Sequence, residues 1–294
     1  MIQKRFGFGL IELMLLIAML LFSTALLVPA VQRVRETAGR KQILDNLKQL
    51  CLATHMTNDV YKLLPPASGT YGGITAASGS KSLSVHLLPY VEQSALYAKV
   101  QFGKEAPTNV VIPPFTATLD FSTTDFMRVQ NFCSNIRVFA NDGVVTAWDR
   151  AVPMKGTMYG NSGIPRTFVD GTSQSVFFAT RYASSGTASS NGDSKTPCSY
   201  YDVLTSNDGG AFFGATPMAQ SPLSAASTSG WQVVPSLSQV NCAFAVGMAH
   251  SFDTTGIQIG LGDASVRTIA PSISATTWNY AMCPNDGNAL GRDW

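Results

Sequence analysis

The chain has 294 residues, only 13% of them charged, and its formal net charge is +2 at pH 7. Such a weak and balanced charge provides no basic field for nucleic acid, so we expect no nucleic-acid partner. The length is sufficient for one globular domain with a sizeable core in addition to an N-terminal segment.

The N-terminal segment combines a short basic leader with a long apolar stretch. Residues 4–12 are Lys-Arg-Phe-Gly-Phe-Gly-Leu-Ile-Glu, and the 19 residues from Leu13 to Val31 contain no charged side chain. At about 1.5 Å per residue, a helix of that length spans roughly 28 Å, close to the ~30 Å hydrocarbon core of a bilayer. The stretch is therefore predicted to form a helix that crosses a membrane once.

Glu12 is the single carboxylate at the start of this stretch. An acidic side chain deep in the apolar layer costs about 2.5–3.5 kcal/mol on insertion scales, so Glu12 requires a partner or a position at the headgroup level. The arrangement resembles the cleavage and methylation signal of type IV prepilins and pseudopilins. That resemblance implies cleavage after Gly7 by a prepilin peptidase/N-methyltransferase, a new N-terminus at Phe8, and pairing of Glu12 with the freed amine when subunits pack.

Two other interpretations of the N-terminal segment are open. A secretory signal peptide has an apolar stretch of about 7–15 residues, and Val28-Pro29-Ala30 could be its cut site, but the stretch here is longer and Glu12 stands where such a peptide is positive. A plain membrane anchor follows the positive-inside rule, which places the side bearing the basic residues 33–41 in the cytoplasm. The prepilin resemblance implies the opposite orientation, and we give its specific residues more weight than the statistical charge rule.

The helix is predicted to continue beyond the apolar stretch. Apolar residues recur at three- and four-residue spacing, with charged residues on the other faces, which is an amphipathic pattern. These apolar residues are Ile43, Leu44, Leu47, Leu50 and Cys51. One helix is therefore expected from about Phe8 to about Asn58, in a segment 8–62 whose residues 8–31 are transmembrane. Pro29 favours a kink, and Leu63-Leu64-Pro65-Pro66 is expected to end the helix.

The remaining segment, 63–294, is predicted to be a mainly-β globular domain. Its strand-like runs are mostly separated by Gly, Asn and Asp. The runs are Ile136–Phe139, Val144–Trp148, Ser175–Arg181, Cys242–Gly247, Ile257–Leu261 and Ser265–Ile269. Asn-Asp-Gly triplets beginning at Asn141, Asn207 and Asn285 suit turns that need positive φ. Two stretches rich in small polar residues, Ser184–Thr196 and Ser221–Gly230, are expected to be exposed loops.

Two further helices complete the predicted fold. One covers about Pro89 to Val100, where proline suits the first turn, and the other covers Ala275 to Met282 with Ser274 as its cap. We therefore expect an α+β, pilin-like fold. In this fold a leader of residues 1–7 precedes a long, partly transmembrane helix, which packs on an antiparallel β-sheet domain.

Several sequence blocks are spread over nearly the whole chain: Asn46-Leu47-Lys48-Gln49-Leu50 with His55, and the stretches 64–66, 87–97, 169–173 and 250–294. These blocks are similar to a large pilin-like family of unknown function that is expanded in planctomycete bacteria. The signature of that family is a histidine, nine intervening residues and Asp-Gly followed by Ser-Val-Arg. Here twelve residues separate His250 from Asp263, and Ala264 replaces the glycine. The hairpin that carries the signature is thus predicted to be longer than in the family.

The residues that could carry chemistry are few and far apart. The three histidines, His55, His86 and His250, lack metal-binding spacing, and the sequence contains no nucleophile elbow or phosphate loop. His250 and Asp263 could face each other across a hairpin, as an acid–base pair or through a structural hydrogen bond. No catalytic, cofactor-binding or metal site is predicted, and we do not expect an enzyme.

The cysteines number five, an odd number, which allows at most two disulfides within one chain. None is spaced as Cys-x-x-Cys, which argues against zinc and thioredoxin-like chemistry. Cys51 lies on the apolar face of the predicted helix and is expected to behave as a buried apolar residue. The C-terminal region of pilins is often stapled, so the resemblance to pilins implies a Cys242–Cys283 disulfide.

Together these features predict a pilin-like or pseudopilin-like structural subunit of the cell envelope. It would be a single-pass protein of the inner membrane with a periplasmic or extracellular domain. Its partners would be a prepilin peptidase, the membrane, and copies of itself or related subunits. Two alternatives stay open: a membrane-tethered surface binding module that does not polymerise and, with less support, a secreted enzyme.

Overall fold

The computed structural model describes most of the chain, in nine stretches. They are residues 9–74, 81–102, 110–122, 129–140, 160–185, 196–197, 212–214, 231–235 and 248–294. The chain divides into two compact units, Met1–Lys41 and Gln42–Trp294.

A single long helix, α1, covers Leu10–Tyr61 and confirms the predicted continuous helix. Pro29 lies inside α1 without ending it, as neighbouring hydrogen bonds can accommodate one missing backbone donor. In the first unit every described side chain up to residue 38 is exposed. An 18-residue window of α1 has a mean hydropathy of 2.5, so the helix meets the length and composition of a membrane span, which a signal sequence also meets.

The second unit begins with the amphipathic half of α1. Its buried residues recur every three or four positions, as the sequence predicts, and include Ile43, Leu47, Leu50, Cys51 and Thr54. Polar side chains on this half bind backbone of the domain: Asn46 donates from Nδ2 to Thr116 O at 2.9 Å, and His55 Nε2 lies 2.8 Å from Gly262 O. The helix is therefore fixed by both apolar burial and hydrogen bonds.

The rest of the second unit contains short helices and strands. Its helices are α2 (Leu83–Leu87), α3 (Ser94–Phe102), α4 (Ile136–Phe139) and α5 (Ala275–Met282), with 3-10 turns at Leu88–Val91 and Pro113–Phe115. Its strands are β1 (Ser68–Gly69), β2 (Lys81–Ser82), β3 (Phe132–Asn135), β4 (Val176–Thr180), β5 (Ser184–Ser185), β6 (Thr196–Pro197), β7 (Phe212–Phe213), β8 (Trp231–Val233), β9 (Ala249–Ser251), β10 (Ile257–Leu261) and β11 (Val266–Ile269).

The main sheet has five strands in the order β11-β10-β4-β3-β7. Its first four strands pair antiparallel, but β3 and β7 pair in parallel, with Ser134 opposite Phe212. The two-stranded sheet of β8 and β9 is also parallel. The predicted α+β class is therefore confirmed, whereas the sheet is mixed rather than antiparallel. A long connection separates β3 from β7 in the chain, and such a crossover permits parallel pairing.

Strand β10 separates two buried clusters. Ile257, Ile259 and Leu261 belong to a cluster that includes Trp278 of α5. Gly260 points the other way, towards Cys51 of α1. This alternation is the two-residue period of a strand, and it places α1 and α5 against opposite faces of β10.

Several predicted elements are confirmed and three are wrong. The predicted exposed loop Ser184–Thr196 begins in β5, where Ser184 is buried, and its last residue lies in β6. Strand Ile257–Leu261 and helix Ala275–Met282 have the predicted bounds, and Ser274 accepts a hydrogen bond from Thr277 N at 3.2 Å as the predicted cap. The predicted strand Ile136–Phe139 is instead α4, because Asn135 accepts from Arg137 N at 3.0 Å and caps a helical turn.

The predicted helix Pro89–Val100 is broken in two. Pro89 lies in the 3-10 turn Leu88–Val91, and α3 begins only at Ser94. Glu92 between them has a φ of 62°, in the left-handed region, where a right-handed helix cannot continue.

Gly287, in the third Asn-Asp-Gly triplet, has a φ of 75°, which confirms the predicted turn. The other two triplets, the predicted strands Val144–Trp148 and Cys242–Gly247, and the predicted loop Ser221–Gly230 lie outside the described residues.

Candidate functional sites at the helix start and the family signature

The start of α1 holds the lone carboxylate in a defined position. Oε2 of Glu12 accepts a hydrogen bond from Gly9 N at 3.1 Å. The first amides of a helix have no partner within the helix, and a negative charge near them is stabilised by the helix dipole. Glu12 thus caps its own helix, which is a local role that the sequence analysis did not anticipate. Gly7 and Phe8 lie outside the described residues, so cleavage, methylation and pairing with the freed amine stay predictions.

The first unit presents large apolar side chains to its surroundings over its whole described length. Leu10 is 76% exposed, Phe22 69% and Val34 68%. Contiguous apolar surface of this extent is covered by lipid or by other protein segments in stable proteins. The first unit can therefore bind lipid or another protein through the exposed apolar surface of α1 and through Glu12 at its start.

The signature histidine has a structural position inside the second unit. His250 lies in β9, is fully buried, and its Nδ1 accepts a hydrogen bond from Tyr182 N at 3.2 Å. Its ring stacks on Tyr182 with 5.6 Å between ring centres. Burial, and the nearby positive charge of Arg181, lower the pKa of His250 well below its usual value. The imidazole is therefore neutral, and it joins β9 to the segment after β4.

The signature aspartate is in a different place. Asp263 lies in the turn between β10 and β11, is exposed, and accepts a hydrogen bond from Ser265 N at 2.9 Å. Ala264 follows it with a φ of 63°. His250 and Asp263 thus have different hydrogen-bond partners, which does not support an acid–base pair. The left-handed backbone conformation at position 264 accounts for the glycine of the signature, because glycine adopts this conformation without steric cost.

A second aspartate, in the family block 169–173, holds the C-terminal region. Asp170 accepts hydrogen bonds from Asp286 N and Gly287 N, both at 3.0 Å. Burial and the neighbouring charge of Asp286 raise the pKa of Asp170. The block therefore positions a turn more than a hundred residues away in the sequence.

Asp120 is a buried carboxylic acid side chain to which the sequence pattern assigns no role. It is 5% exposed and accepts hydrogen bonds from Ser122 N at 2.7 Å, Asn131 Nδ2 at 2.6 Å and Ala183 N at 2.9 Å. These donors come from three separate segments, so no local motif could have marked Asp120. Asp120 therefore joins these segments, and its hydrogen bonds offset the cost of burying a polar side chain.

The described cysteines are buried thiols. Cys51, Cys133 and Cys283 carry no disulfide in the described part of the chain, and burial raises the pKa of Cys133 and Cys283 to about 12. Cys51 is fully buried, as predicted for an apolar residue. Cys242 lies outside the described residues, so its pairing with Cys283 stays a prediction. Within those same stretches, no three His, Cys, Asp or Glu side chains come together to hold a metal ion.

Comparison with known proteins gives a match to a protein family. A family model described as "Protein of unknown function (DUF1559)" matches residues 32–276. The matched residues begin after the apolar stretch and therefore do not include the predicted leader or Glu12. No curated protein and no solved structure matches the chain.

Proposed function

The chain belongs to the DUF1559 family of proteins of unknown function, and on this premise we propose that it is a pilin-like or pseudopilin-like structural subunit of the cell envelope. The observation that carries the proposal is the exposed apolar surface of α1 in the first unit, with a single carboxylate at its start. A helix of this kind has two stable surroundings, a bilayer and a bundle of like helices. A pilin is a subunit whose helix moves from the bilayer into such a bundle.

The position of Glu12 supports this proposal. Its carboxylate already lies at the Gly9 amide, one residue from the position where cleavage after Gly7 would place a free amine. A charged amine and a carboxylate in an apolar layer stabilise each other, because neither is solvated there. In an assembled bundle, the carboxylate of one copy would pair with the amine of its own chain or of the next.

The experiment that tests the proposal is mass spectrometry of the N-terminus of the protein made in cells with a prepilin peptidase. We expect the chain to begin at a methylated Phe8. Gly7→Ala should leave the leader attached. Gly9→Ala is the matched control, since an added Cβ there meets Glu12 Oε2 at 3.9 Å, which is ordinary contact, and cleavage should be normal. A chain that begins at Val31 would instead identify a secretory signal, and normal cleavage of Gly7→Ala would overturn the proposal.

Assembly and simple tethering are separated by a second measurement. Single cysteines placed on the exposed apolar face, for example Leu16→Cys or Leu20→Cys, should cross-link copies of the chain if the helices pack together. A tethered binding module should give no homotypic cross-link above the level of a control such as Lys48→Cys, on the exposed side of the amphipathic half of α1.

A further inference from the structure

The second unit contains an aromatic pocket that the proposed function does not use. The pocket has a volume of about 220 Å³ and is lined by Tyr61, Tyr71, Tyr90, Tyr97, His86 and Pro89. The backbone of Gly72 and Gly73 completes its wall. Tyr61 is the last residue of α1, and Tyr71 lies in the turn after β1. The remaining rings come from the stretch that runs from α2, which holds His86, through the 3-10 turn to α3, which holds Tyr97.

Tyr71 is the fixed ring of this pocket. Its hydroxyl lies 2.7 Å from Leu63 O and 3.2 Å from Thr57 O, so it is bound to the end of α1. Its ring meets that of Tyr61 edge to face with 4.8 Å between centres, and that of His86 with 5.5 Å between centres. The pocket wall is therefore ordered by its own contacts rather than by a ligand.

The Gly72-Gly73 turn allows the rings to approach the backbone closely. Gly72 has a φ of 61°, and a Cβ built on it would lie 2.9 Å from the hydroxyl oxygen of Tyr61. The carbonyl of Gly73 accepts a hydrogen bond from Gln101 Nε2 at 2.7 Å, which holds the turn against α3. A side chain at Gly72 would displace the hydroxyl end of the Tyr61 ring, and the positive φ also favours glycine at this position.

The polar groups of the pocket are neutral. Burial and the neighbouring Tyr61 raise the pKa of Tyr90 and of Tyr97, so both stay protonated phenols. Tyr90 is hydrogen bonded to Tyr61, and Tyr97 to the backbone of Gly73. Burial lowers the pKa of His86 to about 4, so its imidazole is uncharged at neutral pH. Among the described lining residues none bears a formal charge.

This chemistry selects a class of ligand. A site without charge gives no attraction to phosphate or carboxylate groups. Aromatic faces bind apolar C–H surfaces, and phenol hydroxyls and exposed backbone bind hydroxyl groups. A quaternary ammonium ion also binds aromatic faces, but it makes no hydrogen bond to the phenol hydroxyls, each of which can both donate and accept. The volume is below the roughly 300–1,000 Å³ of pockets for drug-sized molecules, so the ligand is about one ring in size.

We propose that this pocket binds one neutral sugar ring. The C–H face of the sugar lies on the tyrosine rings, and its hydroxyls bond to the phenols of Tyr90 and Tyr97 and to the Gly72-Gly73 backbone. The site is independent of the N-terminal processing proposed above, and each proposal can fail without the other.

The test is calorimetric titration of the full chain with methyl glucoside, N-acetylglucosamine and the N-acetylglucosamine trimer. A polyoxyethylene detergent is required, because maltoside detergents carry sugar rings. We expect one of the monosaccharides to bind, and Tyr90→Phe and Tyr97→Phe each to weaken it about fivefold, the effect of one hydrogen bond. Tyr280→Phe, a half-buried tyrosine of α5, is the matched control and should bind as the unchanged chain does. Equal thermal unfolding of all variants excludes a folding defect.

Four results would overturn the proposal. The first is the absence of monosaccharide binding at sugar concentrations up to about 10 mM, since a Kd above this value corresponds to less than about 3 kcal/mol of binding free energy. The second is full affinity in both Tyr→Phe variants. The third is saturable binding of tetramethylammonium in place of sugar, which would make the pocket a cation site. A trimer that binds more than about tenfold better than the monomer would overturn the single-ring assignment.

Discussion

The Sγ atom of Cys51 lies where a side chain on Gly260 would have to be. A Cβ built on Gly260 would be 2.5 Å from that sulfur and 3.6 Å from Leu47 O. Helix α1 and strand β10 therefore approach each other closely at this pair of small residues, and a larger residue at Gly260 would push the helix and the strand apart.

Gly260→Ala should reduce stability by about 1–3 kcal/mol, the usual cost of overpacking a core. The double change Gly260→Ala with Cys51→Ala should recover part of this loss, because the missing sulfur leaves room for the new methyl group. Urea unfolding of the single and double variants measures the coupling. Strictly additive losses would contradict a direct contact between the two positions.

Ala264→Gly should leave stability unchanged or slightly raised. Glycine adopts the left-handed conformation without the steric cost of about 1–2 kcal/mol that alanine has there. Most of this gain is offset by the greater conformational freedom of glycine in the unfolded chain and by the loss of one buried methyl group. Ala281→Gly makes the same chemical change inside α5 and should cost about 1 kcal/mol. Thermal unfolding of both variants is the measurement. Equal losses at the two positions would show that the backbone conformation at Ala264 carries no cost.

Glu12→Ala should still insert into membranes but assemble poorly, with homotypic cross-linking reduced about tenfold, the effect of 1.4 kcal/mol. Glu12→Gln separates the two roles of this side chain. It keeps an oxygen that can accept from Gly9 N, and so keeps the helix start, but it lacks the charge. Normal cross-linking of Glu12→Gln would mean that the helix cap matters and the charge does not.

Stability should fall as the pH drops below about 6.5. His86 is buried with a pKa lowered to about 4, so between these values the unfolded chain binds a proton that the folded chain does not. The folded state is then favoured at high pH and loses about 1.4 kcal/mol per pH unit through this group. The buried His250, with a lowered pKa, acts in the same direction.

The measurement is the unfolding midpoint at neutral pH and at about pH 5, for the unchanged chain and for His86→Gln. Glutamine keeps an N–H that can donate to Gly69 O, the partner of His86 Nε2 at 3.1 Å. The pH dependence of the variant should be smaller by about 2 kcal/mol over this interval. An identical pH dependence in both proteins would show that His86 does not titrate on unfolding.

The sequence predicts those elements whose causes are local. The bounds of β10 follow from the alternation of Ile257, Ile259 and Leu261 with Gln258 and Gly260, and those of α5 from the cap at Ser274. Helix α4 was missed because Ile136–Phe139 is as apolar as a strand, and only the capping by Asn135 distinguishes the two. The parallel pairing of β3 and β7 depends on residues distant in the chain, so no local pattern contains it.

The same distinction applies to the sites. Glu12 is prominent because a carboxylate is rare beside an apolar helix, and its contact with Gly9 is three residues away. The pocket tyrosines are not prominent, since each is an ordinary residue of its own segment and only the fold brings the rings together. The one local signal is Tyr71-Gly72-Gly73, where two glycines beside an aromatic residue indicate a close approach of backbone and ring.

The bonds from Asp170 to the turn at Asp286 and Gly287 have a consequence for the order of folding. In the chain, Asp286 is 116 residues from Asp170, and Gly287 is 117 residues from it. Closing so long a loop carries an entropic cost that two hydrogen bonds alone do not recover, so the sheet between them has to form first. In a refolding experiment followed by hydrogen exchange, the amides of Asp286 and Gly287 should therefore become protected after those of β4 and β10.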